Sequence, residues 1–235
     1  MPNAFLAHAY DLADVWVNCG DKPQTKACAG CDTADPDYNC LTPFYMGPGI
    51  HPRLKKPVGQ RLAAAALASV YGWGGPVTGP TLAGCAVAPG GASLALRFNT
   101  TLLAGGALAV APYAGGRKQS GLSVLTNSTD VFGSGSWVAV DIALGAGGDT
   151  VVADLSPLGG GAPQAVKYAW GATGGAPNDA DVVCCATPQA LCAPGECPIK
   201  VAAAGAPFGG MPGNPFLAQI VNGKCACPAP QLCDA

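Results

Sequence analysis

Histidine is scarce in this 235-residue sequence, which carries only His8 and His51. His51 stands in Ile50-His51-Pro52-Arg53, at the end of an exposed loop and just ahead of a helix. A loop imidazole held by a rigid scaffold is suited to general-base work, because its ordinary pKa lies near operating pH. His8 sits inside an apolar run, Ala4-Phe5-Leu6-Ala7-His8-Ala9-Tyr10, where a packed or edge role fits better. None of the serines, from Ser69 to Ser156, occupies a G-D-S or G-x-S-x-G setting after a strand. Even Ser93, in Gly91-Ala92-Ser93-Leu94-Ala95, lacks the second glycine. A base without a matching nucleophile is the first chemical fact of the chain.

Cysteine is the other reactive type. Twelve are present: Cys19, Cys28, Cys31, Cys40, Cys85, Cys184, Cys185, Cys192, Cys197, Cys225, Cys227 and Cys233. An even count in Gly/Pro-rich loops reads as disulfides formed in an oxidising compartment, although spacing does not give their pairing. Cys28-x-x-Cys31 also has the spacing of half a zinc site, with Cys19 and Cys40 as the other thiolates, but those spacings match no finger. Two acceptor tripeptides, Asn99-Thr100-Thr101 and Asn127-Ser128-Thr129, agree with a secretory or endomembrane lumen. The first residues lack the basic start and apolar length of a signal peptide.

The elements that must position these groups follow from periodicity. Residues 4–10 read as a short buried strand and 18–49 as an irregular, cysteine-stapled loop. Pro57 opens a helix, with Val58, Leu62, Ala66 and Val70 forming one apolar face against a sheet and Gly72 as the stop. Beyond Gly74-Gly75-Pro76 the period changes to two, in 93–98, around 137–142, in 149–155 and in 165–170. Short strands between Gly/Ser/Asn turns predict an antiparallel sandwich. The stretch from Gly171 reads mostly as loop, and the domain boundary falls near residue 75.

Composition narrows the function classes. Gly 34 and Pro 22 exclude a helical bundle, while 49% hydrophobic and 11% charged residues exclude a disordered chain. A net charge of −2 without a basic stripe argues against nucleic acid as a partner. No uninterrupted apolar segment approaches the ~20 residues of a membrane helix.

Four landmarks carry a resemblance. Met1-Pro2-Asn3-Ala4-Phe5-Leu6-Ala7-His8-Ala9-Tyr10-Asp11-Leu12-Ala13-Asp14 resembles the segment leading to the catalytic histidine of the sialate O-acetylesterase family. Ile50-His51-Pro52-Arg53-x-Lys55-x-Pro57-Val58-x-x-Arg61-Leu62 resembles its histidine block, and Val166-Lys167-Tyr168-Ala169-Trp170 its "V-R-Y-A-W" strand. Cys197-Pro198, with Pro207-Phe208 or Pro215-Phe216, is similar to its closing stretch. The resemblance implies an SGNH-class ester hydrolase that removes acetyl groups from sugars, without metal or organic cofactor. His51 would be the catalytic histidine. Pro48 stands where that class often places the acid, so the resemblance leaves Asp14, or Asp11, to orient the imidazole. The family's serine, glycine and asparagine blocks lie upstream of the first matched segment, so the chain is expected to be the C-terminal portion of the enzyme, partnered by its missing N-terminal part.

The expected architecture is therefore α+β. Residues 1–75 form an α/β remnant, the C-terminal part of an SGNH domain, and 76–235 an all-β antiparallel sandwich with cysteine-rich loops. The expected activity is carboxylic ester hydrolysis on an acetylated carbohydrate. The alternative is a non-catalytic, secreted, disulfide-rich sandwich that binds carbohydrate or a protein. Trp16, Trp73, Trp137 and Trp170 would then be either sugar-stacking faces or core.

Overall fold

The computed structural model describes residues 55–75, 78–99, 103, 106–111, 120–131, 136–169, 197–202 and 211–226. The expected strand at 4–10 and the 18–49 loop lie outside these residues. The first described element is helix α1, Lys56–Tyr71. Pro57 stands in its first turn, where a missing N–H costs nothing, and Gly72 ends it with φ 68 in the left-handed region. The N–H groups of Gly72 and Trp73 both donate to the carbonyl of Leu67, closing the last turn.

The face that α1 buries differs from the expected one. Pro57, Arg61, Ala64 and Ala65 are buried. Leu62, Leu67 and Val70, on the expected face, are 41%, 44% and 57% exposed. Small alanines allow close approach, and an arginine can bury its aliphatic stem, so the packed row need not carry the largest apolar side chains.

Eleven strands follow among the described residues, and every paired strand is antiparallel. They are β1 (Leu82–Val87), β2 (Ser93–Phe98), β3 (Ala107–Val110), β4 (Leu122–Leu125), β5 (Trp137–Ala139), β6 (Ile142–Leu144), β7 (Thr150–Asp154), β8 (Ala165–Tyr168), β9 (Ile199–Ala202), β10 (Phe216–Val221) and β11 (Lys224–Ala226). Nine of them form one sheet in the order β5-β4-β8-β10-β11-β1-β2-β7-β6, and β3 pairs with β9 in a second. Only Val140 and Asp141 separate β5 from β6, the two edges of the large sheet. Val140 N–H donates to Leu122 and the Asp141 carbonyl accepts from Asp154, so one bend bonds to both ends of the sheet.

The sheet is consequently a curled half-barrel. This corrects the expected fold class: the described chain is nearly all-β with one helix, neither an α/β hydrolase remnant nor a two-sheet sandwich. Period-two patterning predicts strands but not whether a sheet stacks on another or bends onto itself. The bend at Val140-Asp141 decides for bending.

Inward residues build a single core from both sheets. Leu94, Leu96, Phe98, Val124, Val151, Val166, Tyr168, Ile199 and Phe216 are among its members. Phe216 stacks on Tyr168 at 5.8 Å and meets Phe98 edge-on at 6.2 Å, geometries that aromatic quadrupoles favour. The Tyr168 hydroxyl accepts the Ile199 N–H, tying β9 to the large sheet.

The region after Gly171 also departs from expectation, since β9, β10 and β11 come from it and β10 lies inside the sheet between β8 and β11. Its hairpin turn is Asn222-Gly223, with φ 53 and 74. Two successive positive φ values match the twist of a two-residue hairpin and suit the Asn-Gly pair. Cys85 in β1 and Cys225 in β11 form a disulfide across neighbouring strands, joining positions 140 residues apart. Cys197 is also disulfide-bonded. The described cysteines thus follow the disulfide expectation, whereas Cys28 and Cys31 lie outside the described residues. Near β10, Asn214 donates to the hydroxyls of Thr78 and Thr81, fastening residues 78–81 to the last hairpin. Gly79 permits this, because a Cβ there would fall 1.6 Å from the Pro212 carbonyl oxygen.

Candidate functional site

His51, Asp14 and Asp11 lie outside the described residues, as does His8. The end of the histidine block is nevertheless in place, since α1 begins at Lys56, five residues after His51. The described residues of the other landmarks are framework, and Met1–Asp14 lies outside the described residues. Val166 and Tyr168 are core residues of β8, Cys197 is a buried half-cystine, and Phe216 packs under Tyr168. Pro207, Phe208 and Trp170 are outside the described residues.

Ser120, Ser123 and Ser128 are likewise structural. Ser120 is fully buried; its hydroxyl donates to Val140 and accepts the Leu122 N–H. Ser128 accepts the Asp130 N–H within its turn. Ser123 is buried opposite Lys167 in the β4–β8 register. Lys167 is itself fully buried, with Nζ 4.8 Å from the centre of the Trp137 ring. That contact makes Trp137 part of the packing rather than a sugar platform. Trp73 follows α1 and is 38% exposed, while Trp16 lies outside the described residues.

An open cleft of about 630 Å³ lies at one end of the curled sheet. Three connections converge there: residues 88–92 between β1 and β2, residues 155–164 between β7 and β8, and Asn222-Gly223 between β10 and β11. Backbone hydrogen bonds lock them to the sheet and to one another. Leu155 N–H donates to Ala92 at 3.0 Å, Val87 N–H to Gly223 at 2.8 Å and Ile220 N–H to Gln164 at 2.7 Å.

The polar side chains facing this cleft are Asp154, Ser156, Gln164 and Asn222. The Asp154 carboxylate accepts the Ser156 N–H at 2.9 Å and the Ser156 hydroxyl at 2.8 Å. These bonds, the backbone one first, hold its pKa below the ordinary carboxylate value, so it is ionised at neutral pH. Among the described residues, the cleft lining has neither histidine nor basic side chain. Ser156 gives its proton to a carboxylate that is a weak base. The arrangement can bind hydrogen-bonding groups and lacks the pieces of an acyl-transfer triad. Sequence reasoning does not single these residues out. The signals present are turn signals: Asp154-Leu155-Ser156-Pro157, an aspartate bonding its own backbone two residues on, and the Asn222-Gly223 hairpin.

No protein-family model matches the chain, and no curated protein matches it. Among solved structures, the chain is similar to the crystal structure of XAC1771, a novel carbohydrate acetylesterase from Xanthomonas citri, at 22% identity and a TM-score of 0.47. The similarity covers 72% of this chain and spans 29% of that one.

Proposed function

We propose that the chain is part of a carbohydrate O-acetylester hydrolase of the sialate O-acetylesterase type, working in an exported or endomembrane compartment. The observation that supports this reading is the sequence block Ile50–Leu62, in which His51 precedes the first residue of α1, Lys56, by five positions. In this reading residues 1–75 supply the base and 76–235 the curled sheet. A serine hydroxyl attacks the acetyl carbonyl while His51 takes its proton. The resulting imidazolium, oriented by Asp14 or Asp11, then protonates the departing sugar oxygen. Water resolves the acyl-enzyme by the same proton route. The nucleophile is assigned to polypeptide outside this sequence, because none of its serines has the required setting. The disulfides at Cys85, Cys225 and Cys197 support the compartment.

The test is release of acetate from 4-nitrophenyl acetate and from an O-acetylated sugar. The 235-residue chain alone is expected to stay at background. The product of the whole reading frame is expected to turn over, and His51→Ala to reduce it by about 100-fold or more. Turnover by the chain alone that depends on His51 would refute the split nucleophile. No turnover by the whole product would refute the esterase. A second reading, a carbohydrate-binding module without chemistry, is favoured by the cleft, whose described lining offers the hydrogen-bonding groups Asp154, Ser156, Gln164 and Asn222.

A further inference from the structure

The cleft between the three loops is lined by described residues that the proposed ester hydrolysis does not use, yet it is built. Its volume of about 630 Å³ falls in the range of small-molecule sites, roughly 300–1,000 Å³. Its walls are tied together by the Leu155–Ala92, Val87–Gly223 and Ile220–Gln164 backbone bonds, so little ordering is left for a ligand to induce. We propose that this cleft is a glycan-binding subsite that accepts uncharged sugar chains and rejects sialylated ones.

The chemistry of the lining selects the ligand class. Asp154, Ser156, Gln164 and Asn222 offer a carboxylate, a hydroxyl and two carboxamides. A carboxylate accepts from sugar hydroxyls through charge-assisted bonds, and a carboxamide both donates and accepts, which matches groups that also do both. Asn222 stands at the hairpin tip, held there by its left-handed backbone.

Charge supplies the selectivity. Among the described residues no lysine or arginine lines the cleft, so none of these side chains would pair with the carboxylate of a sialic acid. Asp154 would instead face it as a like charge. Asp154 is a carboxylate at neutral pH, as an ordinary aspartate is, and the Ser156 N–H and hydroxyl lower its pKa further. The proposal rests on the carbohydrate part of the function proposed above and not on catalysis. It narrows that function to neutral acetylated glycans, despite the sialate in the name of the resembled family.

The experiment is titration of the ¹⁵N-labelled chain with xylotetraose, with lacto-N-tetraose and with sialylated lacto-N-tetraose, following amide shifts. Neutral probes are expected to move Gly91, Ser156 and Gly223 with a millimolar Kd, and the sialylated probe to bind about tenfold more weakly or not at all. The double variant Asn222→Gly, Gln164→Ala keeps a residue suited to the turn and should weaken neutral binding about tenfold. Asp154→Asn keeps the acceptor for Ser156 and should shrink the gap between neutral and sialylated probes. Amide shifts that leave the three loops unmoved by both neutral probes at about 10 mM would overturn the proposal. So would equal or tighter binding of the sialylated probe, or neutral binding untouched by the double variant. Acetate release by the whole product with no shifts in the cleft would refute this subsite alone. Cleft binding without acetate release would refute the esterase alone.

Discussion

Two parts of one sheet obey different rules. In the part built from β4, β8 and the start of β10, residues on both faces are buried, including every residue of β4 and β8. In β2 and β7, inward residues are buried and outward ones are partly or fully exposed, as in β2 with Leu94, Leu96 and Phe98 inside and Arg97 outside, and in the flanking β1 and β6 the core-facing Cys85, Val87 and Ile142 are only partly buried. The inner faces are alike, since both contribute to the same core. The outer faces differ: a second apolar cluster of Leu125, Val131, Ala165 and Leu217, with Trp137 against it, lies on the doubly buried part. A strand's sequence therefore reports two environments at once: where those differ it alternates, and β8, buried on both faces, reads with period two because its outer face buries the polar Lys167.

The largest expected effect comes from the shared inner face. Phe216→Ala removes a ring packed between Tyr168 and Phe98 and should cost about 3–5 kcal/mol, read as a shift in denaturant midpoint. Arg97→Ala, outward in β2, should cost less than about 0.5 kcal/mol. Similar costs at the two positions would erase the distinction between faces. Next comes the Cys85–Cys225 bridge, which pins β1 to the last strand across 140 residues. Replacing both cysteines with alanine should cost about 2–5 kcal/mol. A double variant as stable as the parent would mean that the strand pairing alone holds this edge.

The doubly buried part contains its own exception. Lys167 is fully buried on the outer face over the Trp137 ring, and the Trp137 indole N–H is buried without a hydrogen bond. What Trp137 offers the lysine is its ring face and not its indole donor. Trp137→Phe is expected to be neutral within about 1 kcal/mol, because it removes an orphan donor and keeps a ring. Trp137→Leu should cost more, and a double-mutant cycle with Lys167→Met should return a coupling of about 1–2 kcal/mol. A coupling near zero would make the contact incidental.

This asymmetry also explains which elements are legible in the sequence. Residues 93–98 and 149–155 face core on one side and solvent on the other, and their alternation marks them as strands. β4 and β10 are buried on both faces, so Leu122-Ser123-Val124-Leu125 and Phe216-Leu217-Ala218 carry no period-two signal. The Asn222-Gly223 turn is a hairpin signal, but the surrounding cysteines, prolines and glycines outweigh it. The start and stop of α1 are readable because Pro57 and Gly72 act through local backbone chemistry. Its buried face is not, because four consecutive alanines, Ala63 to Ala66, leave the apolar moment poorly defined. Of the candidate sites, His51 is visible by residue type, whereas the cleft is assembled from three loops distant in sequence and has no local pattern.

The smallest expected effect lies at the rim of the exposed part. Asp154 ends β7 and accepts two hydrogen bonds from Ser156 at the start of a 3₁₀ turn, Ser156–Leu158. Those bonds depress its pKa in the folded chain. A depressed folded-state value means that the unfolded state binds the proton more readily. The stabilisation is thus fully present above the unfolded carboxylate pKa and is lost as pH falls through the folded one. The group is fully solvent-exposed, so screening keeps the effect small. Asp154→Asn retains the acceptor for the backbone N–H but cannot titrate. The difference in melting temperature between parent and variant should favour the parent at neutral pH and narrow below about pH 4. A difference that stays constant down to the acid limb would show that the carboxylate's charge adds nothing to the turn.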